Sequence, residues 1–207
     1  AGITEVENGK PAMVFDGVDD FLTGSQVPFK TSEWSAYTVI TPRTVGVGQG
    51  LMESVDSSST GKRIAFYWST TTSPDIVVNY APDGSSRHSQ NLANKTSGQQ
   101  YLSTAIYDSA NITPYLDGAA QTSFAVAGIS TASLDTFHIG KQKIGGLVGD
   151  GLVQEIVIYP SDQSANRTKI EKSINDYYNI YAYQDKPLIS DTNPEAAAAY
   201  SLRNLTD

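Results

Sequence analysis

The sequence contains no cysteine among its 207 residues. Disulfide bonds, thiolate-containing zinc sites, iron–sulfur clusters and thiol nucleophiles are therefore excluded. Histidine is nearly absent as well, since His88 and His138 are the only two. A metal site built from three histidines is consequently impossible, and a Ser–His–Asp triad would have to take its base from these two side chains.

Basic residues and long apolar runs are also scarce. The chain has 14 Lys and Arg residues against 22 Asp and Glu residues, a formal net charge of −8 at pH 7. We expect no nucleic-acid partner, because phosphate binding needs a basic patch. We also expect no membrane insertion, because no apolar run approaches the roughly 18 residues of a transmembrane helix. Charged residues make up only 17% of the chain and aromatic residues 10%, which is typical of an extracellular β protein with a hydrogen-bonding surface.

Strand signals recur at short intervals. One stretch, Tyr101–Tyr107, alternates between apolar and polar residues and is followed by a further strand signal at residues 112–116. The Asp117-Gly118 pair after it is typical of a two-residue hairpin turn, with residues 121–127 as the return strand. About eleven such strands, separated by turns roughly every 8 to 12 residues, predict an all-β sandwich or jelly roll.

One helix stands out near the C-terminal end. Its apolar residues recur with the spacing of a single helical face: Ile170, Ile174, Tyr177 and Tyr178. Ser161 or Asp162 is a suitable capping residue for the first turn. The pattern predicts a helix over about residues 162–178 that docks on the sandwich by this stripe.

The last residues have the composition of a tail. Residues 181–192 are typical of a linker, and Pro194 would then open a short Ala-rich helix over residues 195–202. We therefore predict a jelly-roll domain over residues 1–181. Residues 182–207 are predicted to form a linker and short helix that lead to a following module.

Three stretches resemble concanavalin A-like, or laminin-G-like, jelly-roll modules. Residues 8–22 (NGKPAMVFDGVDDFL) resemble the opening strand pair of that family, and residues 115–118 (YLDG) resemble its late hairpin. Residues 152–167 resemble its closing strand and short helix, in the form found in phage and marine-bacterial surface proteins. The resemblance covers residues 8–181 and implies a concanavalin A-like jelly-roll sandwich of two antiparallel sheets, with one short docked helix near the C-terminus.

The same resemblance implies a function. It is that of a non-catalytic recognition or adhesion module within a larger extracellular surface protein, on a virion or a bacterial cell. The implied partner is a glycan or a host-cell surface, which makes carbohydrate binding the first expectation. Two alternatives remain open. One is a structural virion decoration or fibre module that contacts neighbouring protein subunits, and the other is a degenerate domain related to glycoside hydrolases.

The catalytic pattern of the family's glycosidases is missing. Those enzymes carry two or three acidic residues that alternate along one strand, which places the carboxylates on one face. Glu155 has no acidic residue two or four positions away. His138 lacks the Gln-x-His pattern of the family's alginate lyases, and we interpret it as a hydrogen-bonded structural residue. We therefore predict that the chain is not an enzyme.

Acidic residues cluster around one turn of the sequence. Asp16, Asp19 and Asp20 lie close together in the chain, and Asp150 lies between two glycines. Laminin-G-like modules often hold calcium at the rim of the sandwich through loop carboxylates and backbone carbonyls, which suit this hard cation. The resemblance thus suggests calcium as the cofactor, with Asp16 and Asp19 as metal ligands. The alternative is that Asp16 shapes the turn while the other carboxylates are solvated.

The segment from Tyr80 to His88 has the composition of a binding loop. Tyr80 offers a ring that can stack on a sugar. Asp83, Arg87 and His88 offer hydrogen-bonding groups on the same short segment. We predict that these four residues edge a ligand-binding surface, with an ordinary polar hairpin loop as the alternative.

Overall fold

The computed structural model describes residues 2–44, 48–58, 61–68, 76–81, 88–91, 96–126, 131–143 and 146–182. Within these stretches the chain forms sixteen strands and one helix, α1 (Arg167–Tyr178). The strands are β1 (Gly2–Glu7), β2 (Lys10–Asp16), β3 (Leu22–Gly24), β4 (Trp34–Pro42), β5 (Gln49–Val55), β6 (Arg63–Trp68), β7 (Ile76–Ala81), β8 (His88–Asn91), β9 (Tyr101–Tyr107), β10 (Asn111–Leu116), β11 (Ala119–Ala120), β12 (Phe124–Ala125), β13 (Thr136–Ile139), β14 (Lys141–Gln142), β15 (Leu147–Val148) and β16 (Asp150–Tyr159).

Most strands belong to two antiparallel sheets. The eight-stranded sheet has the order β1-β2-β16-β4-β9-β10-β11, with β12 also paired to β10. The six-stranded sheet has the order β3-β13-β5-β6-β7-β8, and β14 and β15 form a separate hairpin between β13 and β16. These findings confirm the predicted all-β sandwich of two antiparallel sheets with one helix near the C-terminal end.

Local turn chemistry closes two of the hairpins. Asp117 and Gly118 have φ angles of 48° and 77°, the pair of positive values that a type I′ turn requires. Asn8 and Gly9, with 48° and 74°, join β1 to β2 in the same way. In both places a small polar residue followed by glycine adopts a conformation that most residues avoid.

The return strand after the first of these turns differs from the prediction. Residues 121–126 do not form one continuous strand, because after the turn the described chain pairs with β10 just through the short strands β11 and β12. Pro114 lies opposite the interruption and has no N–H for the ladder, although its carbonyl accepts from the Gln121 N–H at 2.9 Å. The proline therefore accounts for the break.

The main core lies between the two sheets around a group of buried aromatic rings. The centroids of Phe29 and Trp34 are 4.8 Å apart, and Phe66 stacks on Phe29 at 6.1 Å. Tyr107 lies 5.9 Å from Trp34 on the neighbouring strand β9. Large rings in offset or edge-to-face contact give such a core more stability than their buried area alone provides.

Helix α1 packs on the outer face of the eight-stranded sheet. Ile174 and Tyr178 are buried against a second hydrophobic cluster that contains Tyr37, Val39 and Leu102. The predicted stripe is therefore confirmed at these two residues. It is wrong at Tyr177, which is 55% exposed.

The helix also begins later than predicted, at Arg167. Asn166 is the capping residue, but its side chain makes no capping hydrogen bond. Asp162 instead accepts a hydrogen bond from the Ser164 N–H at 2.7 Å, so it shapes the turn before the helix. A helix of 12 residues without a side-chain cap is marginal by itself, and α1 consequently depends on its contact with the sheet.

A buried side chain holds the end of α1. The Asn175 Oδ1 accepts from the N–H groups of Ile180 and Tyr181 at 3.1 and 3.0 Å, and its Nδ2 donates to the Tyr181 carbonyl at 2.8 Å.

The predicted linker and second helix lie almost entirely in residues 183–207, which are outside the described residues. No helix in the described part of the chain is long and apolar enough to cross a membrane.

Strand β16 carries a one-residue bulge. Val153 pairs with Ile40, but Glu155 pairs with the next residue, Val39, so Gln154 is an extra residue in the ladder. Because a shift of one residue exchanges the two faces of a strand, the alternation changes phase at this point.

After this change of phase, alternate residues in the second half of β16 face either the main core or the cluster under α1. Ile156 and Ile158 pack against the main core, while Val157 and Tyr159 pack against the cluster under α1. The side chain of Gln154 stays outside the ladder, where its Nε2 donates to the carbonyls of Glu7 and Lys10 at 3.1 and 3.2 Å. These bonds anchor the bulge to the hairpin between β1 and β2.

Replacing Ile174 by Ala should lower the free energy of unfolding by about 2–4 kcal/mol, because it removes buried methyl groups from the contact between α1 and the sheet. Urea denaturation followed by circular dichroism measures the change. Lys172→Ala is the control, since Lys172 lies on the surface of the helix and its ion pair with Asp176 is worth at most about 1 kcal/mol. An unchanged unfolding midpoint for the Ile174 variant would show that α1 does not dock by this residue.

Candidate functional site

The first candidate site is the acidic turn that follows β2. Asp16 ends the strand, and its Oδ1 accepts hydrogen bonds from the N–H groups of Val18 at 2.9 Å and Asp19 at 3.4 Å. An aspartate that binds the backbone two residues ahead in this way stabilises a tight turn. The same donors, with Val18 as the main one, lower the pKa of Asp16, so its carboxylate is ionised at neutral pH.

Three carboxylates converge at this turn. One ligand oxygen each from Asp16, Asp19 and Asp20 lies within 4.8 Å of the others. Two oxygens that bind the same Ca²⁺ are at most about 5 Å apart, because each Ca–O distance is 2.3–2.6 Å. The spacing of these hard oxygen donors is thus compatible with the ion that the sequence suggested, and Asp20 lies beside the two predicted ligands Asp16 and Asp19.

A polar cavity of about 330 Å³, which we name the rim cavity, adjoins the acidic turn. Asp150, the Cα partner of Asp16 across the β2–β16 ladder, forms one wall, and Thr44 donates a hydrogen bond to its carboxylate. The Gln49 side chain accepts from the Asp150 N–H and donates to the Thr44 carbonyl, both at 3.0 Å. Thr44 and Gln49 had no signal in the sequence, because their partner follows them by more than a hundred residues.

Gly17 makes this arrangement possible. Its φ of +78° lies in the left-handed region, and a Cβ at this position would be 2.9 Å from the Cβ of Asp150. Real Cβ atoms essentially never approach so closely. The absence of a side chain at residue 17 therefore lets the turn lie against β16.

Gly17→Ala should destabilise the fold more than Gly9→Ala. Both residues have a left-handed φ, which costs an alanine roughly 1–2 kcal/mol. A Cβ on Gly9 meets nothing within 4 Å, whereas a Cβ on Gly17 displaces Asp150 and adds about 1–3 kcal/mol of crowding. Urea denaturation of the two variants measures the difference, and equal losses would contradict the close contact.

The second candidate site is the predicted sugar-binding loop. Tyr80 in β7 and His88 in β8 are Cα partners, so they flank the connection between these strands. Asp83 and Arg87 lie within that connection, at residues 82–87, outside the described residues. The loop thus joins the last two strands of the six-stranded sheet, and its ligand-binding role stays a prediction.

A buried ionic group that the sequence analysis missed lies on β5 and β6. The Oε2 of Glu53 accepts from the Lys143 N–H at 2.7 Å, and its Oε1 is 4.0 Å from the Nη1 of Arg63. Burial raises the pKa of Glu53, while these two neighbours oppose the shift. The group links β5 to the segment after β14, which is a structural role.

His138 differs from its sequence interpretation as a hydrogen-bonded residue. Its Nδ1 is buried and has no hydrogen-bond partner within the described stretches. The ring instead packs edge-to-face against Phe21, with a centroid distance of 6.3 Å. Burial lowers the pKa of His138, and the nearby Lys141 and Lys143 act in the same direction, so the ring is neutral at pH 7.

No family model matches the sequence, and none of the curated proteins does. The fold, however, matches solved structures. The NanB sialidase of Streptococcus pneumoniae superposes with a TM-score of 0.61 at 13% identity over 76% of this chain. The chain spans about a quarter of that sialidase, 26% of its length.

Several of the matching structures hold sugars. The CBM40 of the Ruminococcus gnavus IT-sialidase, bound to α2,3-sialyllactose, gives a TM-score of 0.62 at 10% identity and covers 81% of this chain and 97% of its own. A second is domain 4 of AbnA, an extracellular GH43 arabinanase from Geobacillus stearothermophilus, in complex with arabinotriose. It gives a TM-score of 0.63 at 14% identity, and the match covers 78% of this chain and 76% of that domain's chain. At these identities the similarity shows the fold alone, a jelly-roll β-sandwich.

Proposed function

We propose that the chain is a non-catalytic carbohydrate-binding module of a larger protein exposed on a virion or bacterial cell surface. The observation that supports this most is that the structural match covers 97% of the length of the CBM40, a module whose structure holds a sialylated sugar. Because one fold hosts many functions, the activity has to be tested on this chain's own residues.

The carboxylates support a binding role over glycoside hydrolysis. Hydrolysis needs one carboxylic acid with a raised pKa and a second carboxylate about 5–9.5 Å away. In the acidic turn the pKa of Asp16 is lowered, which is the wrong direction for a general acid. Burial does raise the pKa of Glu155, but no acidic residue lies two or four positions from it along β16.

The proposed ligand surface includes the connection between β7 and β8. Tyr80 would stack on a sugar ring, and Asp83, Arg87 and His88 would bind its hydroxyl groups. The proposed partner is a glycan or a host-cell surface.

Replacing both Tyr80 and Arg87 by Ala should weaken glycan binding about tenfold or more, equivalent to about 1.4 kcal/mol. The glycan is first identified on an array, and its affinity is then measured by isothermal titration calorimetry. Tyr177→Ala with Lys172→Ala is the matched control, since both residues are exposed on α1. Unchanged affinity in the double variant would mean that this loop is structural.

Calcium at the acidic turn forms the second part of the proposal. Asp16, Asp19 and Asp20 would supply three of the six to eight oxygen ligands that Ca²⁺ takes. An ion there would offset the repulsion between three close carboxylates and stabilise the turn beside the rim cavity.

Millimolar CaCl₂ should raise the melting temperature of the protein, because a ligand that binds only the folded state stabilises it. Asp16→Asn and Asp19→Asn should each abolish the shift. Asp162→Asn is the control, since Asp162 forms the same kind of turn with Ser164. A melting temperature that does not respond to calcium in the unaltered protein would refute the proposed site.

A structural module that contacts neighbouring subunits is the second candidate function. The observation that favours it is a run of exposed apolar side chains after β2: Val18 is 73%, Phe21 39% and Leu22 41% exposed. Protein contacts commonly use such patches. Concentration-dependent self-association, measured by analytical ultracentrifugation and lost in Phe21→Ser, would favour this candidate if no glycan binds.

A further inference from the structure

A groove runs between α1 and strand β16 on the outer side of the eight-stranded sheet. We name it the helix–strand groove. It encloses about 530 Å³, a volume within the usual range of sites for small ligands. Residues from both elements line it: Glu155, Val157, Tyr159, Gln163, Asn166, Lys169, Ile170, Ser173 and Ile174.

The two walls follow from the periodicities of a strand and a helix. Glu155, Val157 and Tyr159 alternate along β16, and the bulge at Gln154 turns them toward α1. On the helix, Ile174 is buried against the sheet while Ile170 is only half-buried. The groove thus has an apolar floor and an open polar rim.

Glu155 is the feature of the groove that lacks an explanation within the fold. Its carboxylate is half-buried, and no hydrogen bond or ion pair to it occurs among the residues that the structure describes. The nearby Tyr178 hydroxyl donates to the Gln154 carbonyl at 3.3 Å instead. Burial alone raises the pKa of Glu155. A carboxylate that loses part of its hydration without gaining a donor is destabilising, and a ligand that supplies donors would offset this cost.

The opposite end of the groove combines an aromatic ring with amides. Tyr159 is held edge-to-face against Tyr37 at a centroid distance of 6.0 Å. Asn166 donates to the Gln163 side chain at 3.1 Å, and Gln163 donates to Ser161 at 2.8 Å, so both amides are oriented before any ligand binds. A ring with adjacent fixed amides is the chemistry that binds the apolar face and the hydroxyl groups of a sugar.

Length and charge define the ligand further. Glu155 and Tyr159 are four residues apart on a strand, about 13 Å at about 3.3 Å per residue, which exceeds a single sugar ring. Lys169, on the helix wall, is exposed and pairs with no carboxylate in the described part of the chain. The net charge of −8 disfavours an acidic glycan. These properties fit a short neutral oligosaccharide.

We propose that the helix–strand groove is a binding site for a neutral oligosaccharide, with Tyr159 stacking on one ring and Glu155 and Lys169 binding hydroxyl groups. This inference rests on the proposed carbohydrate-binding function and adds a site separate from the β7–β8 connection. Strand β16 belongs to the eight-stranded sheet, whereas β7 and β8 belong to the six-stranded sheet.

The test uses the full chain and an array of neutral oligosaccharides that includes arabinotriose, xylotriose and cellotriose. The affinity for the strongest ligand is measured by isothermal titration calorimetry for Glu155→Gln/Lys169→Ala and for Tyr159→Leu. Each variant should bind at least about tenfold more weakly, because it loses charge-assisted hydrogen bonds or the stacking ring. Lys172→Ala and Tyr177→Ala are the controls on the same helix and should bind normally.

The outcomes separate the inference from the function on which it rests. Weaker binding in the groove variants with an unchanged melting temperature supports the groove. Binding that survives in the groove variants but is lost on replacing Tyr80 and Arg87 overturns the groove and leaves the carbohydrate-binding function standing. If no neutral oligosaccharide binds, the proposed binding site in the groove is refuted. If sialylated glycans do not bind either, the proposed carbohydrate-binding function is refuted as well. Glu155→Gln alone should keep or raise the melting temperature, since it removes an unpaired half-buried charge.

Discussion

The extra residue Gln154 in strand β16 is the constraint on which the outer surface of the large sheet depends. Uninterrupted alternation from Val153 would direct Glu155 into the core and leave Ile156 outside. A carboxylate between the sheets would have no donor to replace its lost water, so that arrangement would be strongly destabilised. The bulge avoids it, and the hydrogen bonds from Gln154 to the hairpin between β1 and β2 hold the bulge in place.

Because of the bulge, β16 belongs to two hydrophobic clusters at once. Ile156 and Ile158 complete the core between the sheets, and Val157 and Tyr159 form part of the platform for α1. The first turn of the helix has no side-chain cap, so this platform is what keeps that end folded. The docking of α1 in turn creates the helix–strand groove, which means that fold stability and the proposed ligand site share the same few residues.

Two environments shift carboxylate pKa values in opposite directions in this molecule. Backbone N–H groups at the acidic turn stabilise the charge of Asp16, which suits the binding of a cation. Partial burial without a donor destabilises the charge of Glu155, which suits the acceptance of hydrogen bonds from a ligand. Both carboxylates lie at the ends or outer faces of strands, where side chains are not needed for the core.

The sequence by itself determined the features that depend on neighbouring residues: the Asp117-Gly118 turn, the alternating strands, the clustering of Asp16 with Asp19, and the stripe of Ile174 and Tyr178. Local steric preference and periodicity are sufficient for these. Only the tertiary structure decided the exposure of Tyr177, which depends on how α1 packs on the sheet, the phase of β16, and the contact of Thr44 and Gln49 with Asp150. The last two depend on the register between segments that are distant in the chain, and a register is chosen by the packing of the whole sheet, which no local pattern contains.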